Sequence, residues 1–172
     1  MAFWTRRKFI FVGIAGVVAA GAAAVVIKKN AEPAPKGIAL IKEHNHMLSA
    51  IAATLLGSAL PADAPKRAAE LARVNTAIGA LIDNLPPSTR KEVGDLFGLL
   101  ALKPARAILG YSGDWAEADT PKITQFLYGL RESSIAMKQQ VYFALHDLVL
   151  GSFYSDPASW MSTGYPGPPK LA

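Results

Sequence analysis

Apolar residues in this chain recur in steps of three and four, and no strand-length stretch alternates at every second position. The clearest case is Leu71, Val74, Ile78, Leu81 and Leu85. Spacing of that kind puts five side chains on one face of an α-helix, and such a face must be buried against other helices. The pattern predicts an all-α fold, a small bundle of four or five helices. Asp63 is placed to cap this helix, with Pro65 in its first turn. An earlier helix is expected over residues 38–60, with Ile41, Leu48, Ile51 and Leu55 as its stripe and Pro61 closing it. Thr89 and Glu92 read as a capping box for a third helix, whose stripe is Val93, Leu96, Phe97 and Leu100. Pro104 breaks or restarts that helix ahead of Ile108 and Leu109.

After a loop over residues 111–118, which carries Gly113 and Trp115, Asp119 or Thr120 caps the last and longest helix, expected to reach about Phe153. One stripe on it is Leu127, Leu130, Met137, Val141, Leu145 and Leu148, and a second is Tyr128, Ile135, Tyr142 and Val149. A helix apolar on two sides is expected at the centre of its bundle. Residues 155–172 lose the helical period, and their prolines and glycines predict an extended, kinked tail that presents Trp160 and Tyr165.

The amino-terminal region follows other rules. Thr5-Arg6-Arg7-Lys8-Phe9-Ile10 resembles a twin-arginine export motif, with Arg6, Arg7 and Phe9 as its signal residues. Residues 9–27 carry no charge, and six alanines and three glycines keep these 19 residues only mildly hydrophobic. Such a run just spans a bilayer at about 1.5 Å per residue. Small residues at Ala20, Ala22 and Ala24 offer cleavage sites inside the run, while Lys28 and Lys29 follow it directly. Cleavage and retention as an inner-membrane anchor through residues 9–27 therefore both stay open. The chain divides into a leader or anchor (1–30), a stiff linker rich in proline and alanine (31–37), a helical domain (38–154) and the tail (155–172). The expected destination is the periplasm, reached through the twin-arginine translocase.

The net charge of +5 reflects the leader: Arg6, Arg7, Lys8, Lys28 and Lys29 supply five of the 18 basic residues, and the remaining 13 balance 13 acidic ones. The body lacks the electrostatic footprint of a nucleic-acid binder, and no nucleic-acid partner is expected. With no cysteine, thiol catalysis, disulfides and iron–sulfur or c-type haem ligation are excluded. No phosphate-binding glycine loop or nucleophile elbow is present, and Ser133 and Ser134 fall within the expected last helix. Glu43 and His46 can face one neighbour, and with His146 they offer a conceivable two-histidine site, whereas His44 and His46 point apart. Solvated or internally satisfied polar residues are the simpler reading. The expectation is no catalytic, cofactor-binding or metal residue in this chain.

The carboxy-terminal sequence carries a resemblance. Phe153-Tyr154, Asp156-Pro157, Trp160 and Gly164-Tyr165-Pro166-Gly167-Pro168, together with the leader, resemble the gluconate 2-dehydrogenase subunit 3 family. The resemblance is strongest over residues 126–169, and the middle of the chain is merely compatible with it. It departs at Asp156-Pro157-Ala158-Ser159, where family members often have Tyr-Gly-Gly-Asn. The resemblance implies a non-catalytic small subunit of an exported dehydrogenase of the glucose–methanol–choline type. The large subunit would hold FAD, and a cytochrome c subunit often completes such a complex. The small subunit would supply the export signal and a docking surface, with Trp160, Tyr165, Pro166 and Pro168 as partner contacts. The alternative is a stand-alone, membrane-anchored periplasmic helical protein with a structural or binding role.

Overall fold

The computed structural model describes residues 33–167. Arg6, Arg7, Phe9, the apolar run 9–27 and Pro168 lie outside the described residues. Those described form an all-α fold with no strand. The helices are α1 (Gly37–Glu43), α2 (Asn45–Leu56), α3 (Ala64–Asp83), α4 (Pro87–Ala101), α5 (Lys103–Leu109), α6 (Thr120–Arg131) and α7 (Ala136–Tyr154). Short 3-10 turns lie at Gly57–Ala59, Trp115–Glu117 and Pro157–Thr163.

Seven helices replace the four or five expected because two long segments are broken. The first break is a kink: His44 leaves helical geometry (φ −112°, ψ 21°), but its N–H still reaches the Leu40 carbonyl and its carbonyl still accepts from Leu48 N–H. The second is a true interruption at residues 132–135. Ser133 sits in that gap rather than in mid-helix, and its Oγ accepts the Ile135 N–H at 3.1 Å. A serine hydroxyl that binds nearby backbone competes with helix continuation, so the last helix becomes two. The break also dissolves the second stripe: Tyr128 and Ile135 are 59% and 52% exposed, Tyr142 is half-buried, and only Val149 is buried.

Other local signals fold as written. Asp63 accepts from Lys66 N–H at 3.0 Å, and Asp119 from Lys122 N–H at 3.2 Å. Leu102 ends α4 and α5 restarts around Pro104. The capping box does not form: α4 begins three residues earlier, at Pro87, and Thr89 is buried inside it. Proline at the first helical position starts the helix without a side-chain cap, since its missing N–H would have been unsatisfied there anyway.

The core centres on α2, which packs against α3, α6, α7 and the Trp115–Glu117 turn. Met47, Leu48, Ala50, Ile51, Ala52 and Leu56 are all buried, and the two alanines let neighbouring helices approach. From α3 come Val74, Ile78 and Ile82, from α4 Val93, Leu96, Phe97 and Leu100, and from α7 Val141, Leu145 and Val149. The tightest approach is α1 against α3: a methyl group added at Gly37 would overlap the Gly79 carbonyl. Asp83 Oδ1 accepts the Gly37 N–H at 2.7 Å, so the end of α3 caps the start of α1. One polar network enters the core, where Asn75 Nδ2 donates to Asn45 Oδ1 (3.0 Å) and Ser49 Oγ (2.8 Å).

The loop over residues 111–118 adds an aromatic cluster to this core. Trp115 stacks on Tyr111 at 4.2 Å between centroids, Phe126 closes on both rings, and Trp115 Nε1 donates to the Leu100 carbonyl at 2.9 Å. Arg106, buried beside both rings, donates to the Ala101 and Gly113 carbonyls at 3.1 and 2.6 Å.

Candidate docking site at the carboxy end of the bundle

Arg73 of α3 organises the point where α7 gives way to the tail. Its guanidinium binds Glu70 through Nε (3.0 and 3.1 Å) and Nη2 (2.6 Å). Its Nη1 lies 3.3 Å from Asp156 Oδ2, Nη2 reaches the Phe153 carbonyl at 3.4 Å, and the group sits over the Phe153 ring. The hydrogen bond to Glu70 first, then the charges of Glu70 and Asp156, hold the Arg73 pKa above its ordinary value against partial burial. A planar fork that engages two carboxylates and a backbone carbonyl fixes direction as well as charge. Arg73 thus ties the end of α7 and the beginning of the tail to α3.

Asp156 repeats the logic one step on. Its Oδ1 accepts the Ala158 N–H at 2.9 Å, and its carbonyl accepts both the N–H and the hydroxyl of Ser159. The result is a 3-10 turn over Pro157–Thr163 where an extended path was expected. That turn brings Trp160 back beside α7, where its Nε1 donates to the Tyr154 carbonyl at 2.8 Å. Tyr165 meets the Trp160 ring edge-on at 5.4 Å between centroids, and its N–H reaches the Trp160 carbonyl. Tyr154 and Tyr165 stay 37% and 49% exposed, Trp160 is half-buried, and Pro166 is exposed. Of the tail residues singled out from sequence, Trp160 and Tyr165 therefore pair in an aromatic ridge tied to α7 through the Tyr154 carbonyl, and Pro166 follows Tyr165 at the surface. Such a ridge offers rigid apolar area with polar edges, the kind of side chain that anchors protein interfaces.

The histidines do not converge. His44 is buried against the edge of Phe97, its Nε2 3.8 Å from Glu43 Oε1. Burial pushes its pKa below the ordinary value, and Glu43 opposes that shift. His46 is exposed, and His146 on α7 pairs with the neighbouring Asp147 at 3.1 Å. Among the described residues no three histidine or carboxylate groups are placed to hold a metal ion. A shallow polar cleft lies at Gly110, Tyr111, Ser112, Gly113, Lys122 and Gln125, but Lys122 is held by Asp119 at 2.7 Å.

Sequence reasoning missed Arg73 and Asp156 as organisers of this end. The available signal was Asp156 two residues after an aromatic helix end; its basic partner lies 83 residues away, beyond the reach of spacing rules. No family model, curated protein or solved structure matches this chain.

Proposed function

We propose that this chain is the non-catalytic small subunit of an exported FAD-dependent dehydrogenase of the glucose–methanol–choline type. In this reading Arg6, Arg7 and Phe9 supply the twin-arginine signal, and the aromatic ridge at the carboxy end docks the flavoprotein in the cytoplasm. FAD has to be inserted before export, so the flavoprotein crosses folded and needs a folded escort. The chain itself holds neither FAD nor haem; the flavin belongs to the large subunit and any haem to a cytochrome c subunit. The observation that carries the reading is the company of a twin-arginine-like leader with Trp160 and Tyr165 paired in a partly exposed ridge. A tagged chain purified from its native host should bring with it a yellow, FAD-containing protein that lacks a leader.

A second reading has its own observation. The Trp160 bond to the Tyr154 carbonyl and the Arg73–Asp156 pair close the tail onto its own bundle. That favours a stand-alone periplasmic protein held to the inner membrane by residues 9–27. Purification without any flavin would support it. Among the described residues no single helix is long and apolar enough to cross a membrane.

A further inference from the structure

The Trp160–Tyr165 ridge stands on a segment with little of its own to order it. Pro157, Gly164, Pro166 and Gly167 punctuate the chain beyond Asp156, and the Pro157–Thr163 turn packs chiefly on α7. Arg73 reaches this segment from α3. Glu70 grips one edge of the guanidinium through Nε and Nη2, the Phe153 ring lies against the group at 5.8 Å, and Nη1 is left to Asp156. The side chains of Glu70, Arg73 and Asp156 are 25%, 31% and 34% exposed, so solvent screens this relay less than it screens a surface pair. Arg73 and Trp160 also take neighbouring carbonyls at the open end of α7. Arg73 Nη2 donates to Phe153 and Trp160 Nε1 to Tyr154, while Ser155 Oγ donates to Ser152 at 2.8 Å. These are among the carbonyls that an α-helix leaves unbonded at its last turn. A tilt of that turn that lost the Arg73 bond would disturb the Trp160 bond beside it.

We propose that Arg73 is the positioning residue of the docking ridge: its fork, aimed by Glu70, fixes Asp156 and the Phe153 carbonyl so that Trp160 and Tyr165 are set in place before any partner arrives. Closure of the tail on its own bundle is then what makes the ridge rigid. A rigid contact segment loses less conformational freedom on binding than a loose one, so the tie raises affinity without itself supplying contacts. The fork matters more than the charge. A lysine ammonium is a point charge on a flexible stem, and it cannot hold Glu70 through two nitrogens while a third reaches Asp156. That the ridge docks a flavoprotein rests on the reading above; that Arg73 sets its geometry does not.

The indole N–H signals of the full-length, nitrogen-15-labelled protein in detergent test this. The chain has three tryptophans, Trp4, Trp115 and Trp160, and the spectrum of Trp160→Phe assigns the signal that matters. Trp115, buried with its Nε1 on the Leu100 carbonyl at 2.9 Å, reports whether the bundle stays folded. Two variants are compared. Arg73→Lys keeps the charge and loses the fork, whereas Asp156→Asn keeps an acceptor for the Ala158 N–H and loses the ion pair. In both, the Trp160 indole signal should shift and its hydrogen exchange should quicken several-fold, while the Trp115 signal stays in place. An unchanged Trp160 signal in Arg73→Lys would overturn the proposal, because charge alone would then suffice. So would Trp160 and Trp115 signals that move together in Asp156→Asn, which would assign the tie to the bundle as a whole. With a flavoprotein in hand, both variants should bind it several-fold more weakly. Absence of any flavoprotein would strike the export reading and leave the indole signals to decide the role of Arg73.

Discussion

Tyr165 and Trp160 differ as probes, and the difference follows from what each side chain touches. Tyr165 is half exposed and holds its place through its backbone N–H and one edge-on ring contact. Tyr165→Ala should leave the melting temperature nearly unchanged and weaken a flavoprotein complex by about 2 kcal/mol, as truncation of an interface anchor does. Trp160 also donates to the Tyr154 carbonyl, so Trp160→Ala should lower the bundle's own stability by about 1 kcal/mol as well. Melting curves and partner titrations on both variants separate the two roles. A Tyr165→Ala protein that melts lower yet binds its partner unchanged would assign the ridge to the bundle alone. His44 gives a pH test. Its folded pKa lies below the ordinary 6.5 because burial disfavours the imidazolium. The unfolded chain therefore takes up a proton at higher pH than the folded one, and stability is lost as pH falls from about 6.5 toward the folded value. The melting temperature should drop across that window, and His44→Leu should flatten the drop.

Helices α1 and α3 are locked at one end by two unlike devices, close backbone contact and a borrowed cap. Gly37→Ala would push a methyl group into the Gly79 carbonyl, and a rigid neighbour of that kind should make it cost about 1–3 kcal/mol. Asp83→Ala, which removes the acceptor for the Gly37 N–H, should cost about 1 kcal/mol. Chemical denaturation of each variant checks both values. Neither device was legible in the sequence, because each joins residues more than 40 positions apart. What was legible is what local chemistry decides: the stripe of α3, the Asp63 and Asp119 caps, and the restart at Pro104. The Thr89–Glu92 box failed because Pro86-Pro87 starts the helix earlier, and the long last helix failed because Ser133 turns its hydroxyl to the backbone. Periodicity continued through both breaks, and it carries no information about such side-chain competition. At the candidate site the aromatic residues stood out by lying outside any helical face, whereas the Arg73 tie emerges only in three dimensions.

For the molecule as a whole, basic and acidic residues balance beyond Lys29, and the described residues form an all-α bundle. In the proposed reading the features that act are the basic amino-terminal motif and the partly exposed Trp160–Tyr165 pair. An escort needs both, one to engage the translocase and the other to hold cargo. The direct test follows the cargo: a tagged chain is expressed in its native host, with and without Arg6→Lys and Arg7→Lys, and bound FAD is measured in cytoplasmic and periplasmic fractions. The account predicts that a flavoprotein co-purifies with the chain from the periplasm, and that the double substitution leaves both in the cytoplasm, still bound. A chain exported without flavin, or a flavoprotein that reaches the periplasm regardless of the arginine pair, would contradict it.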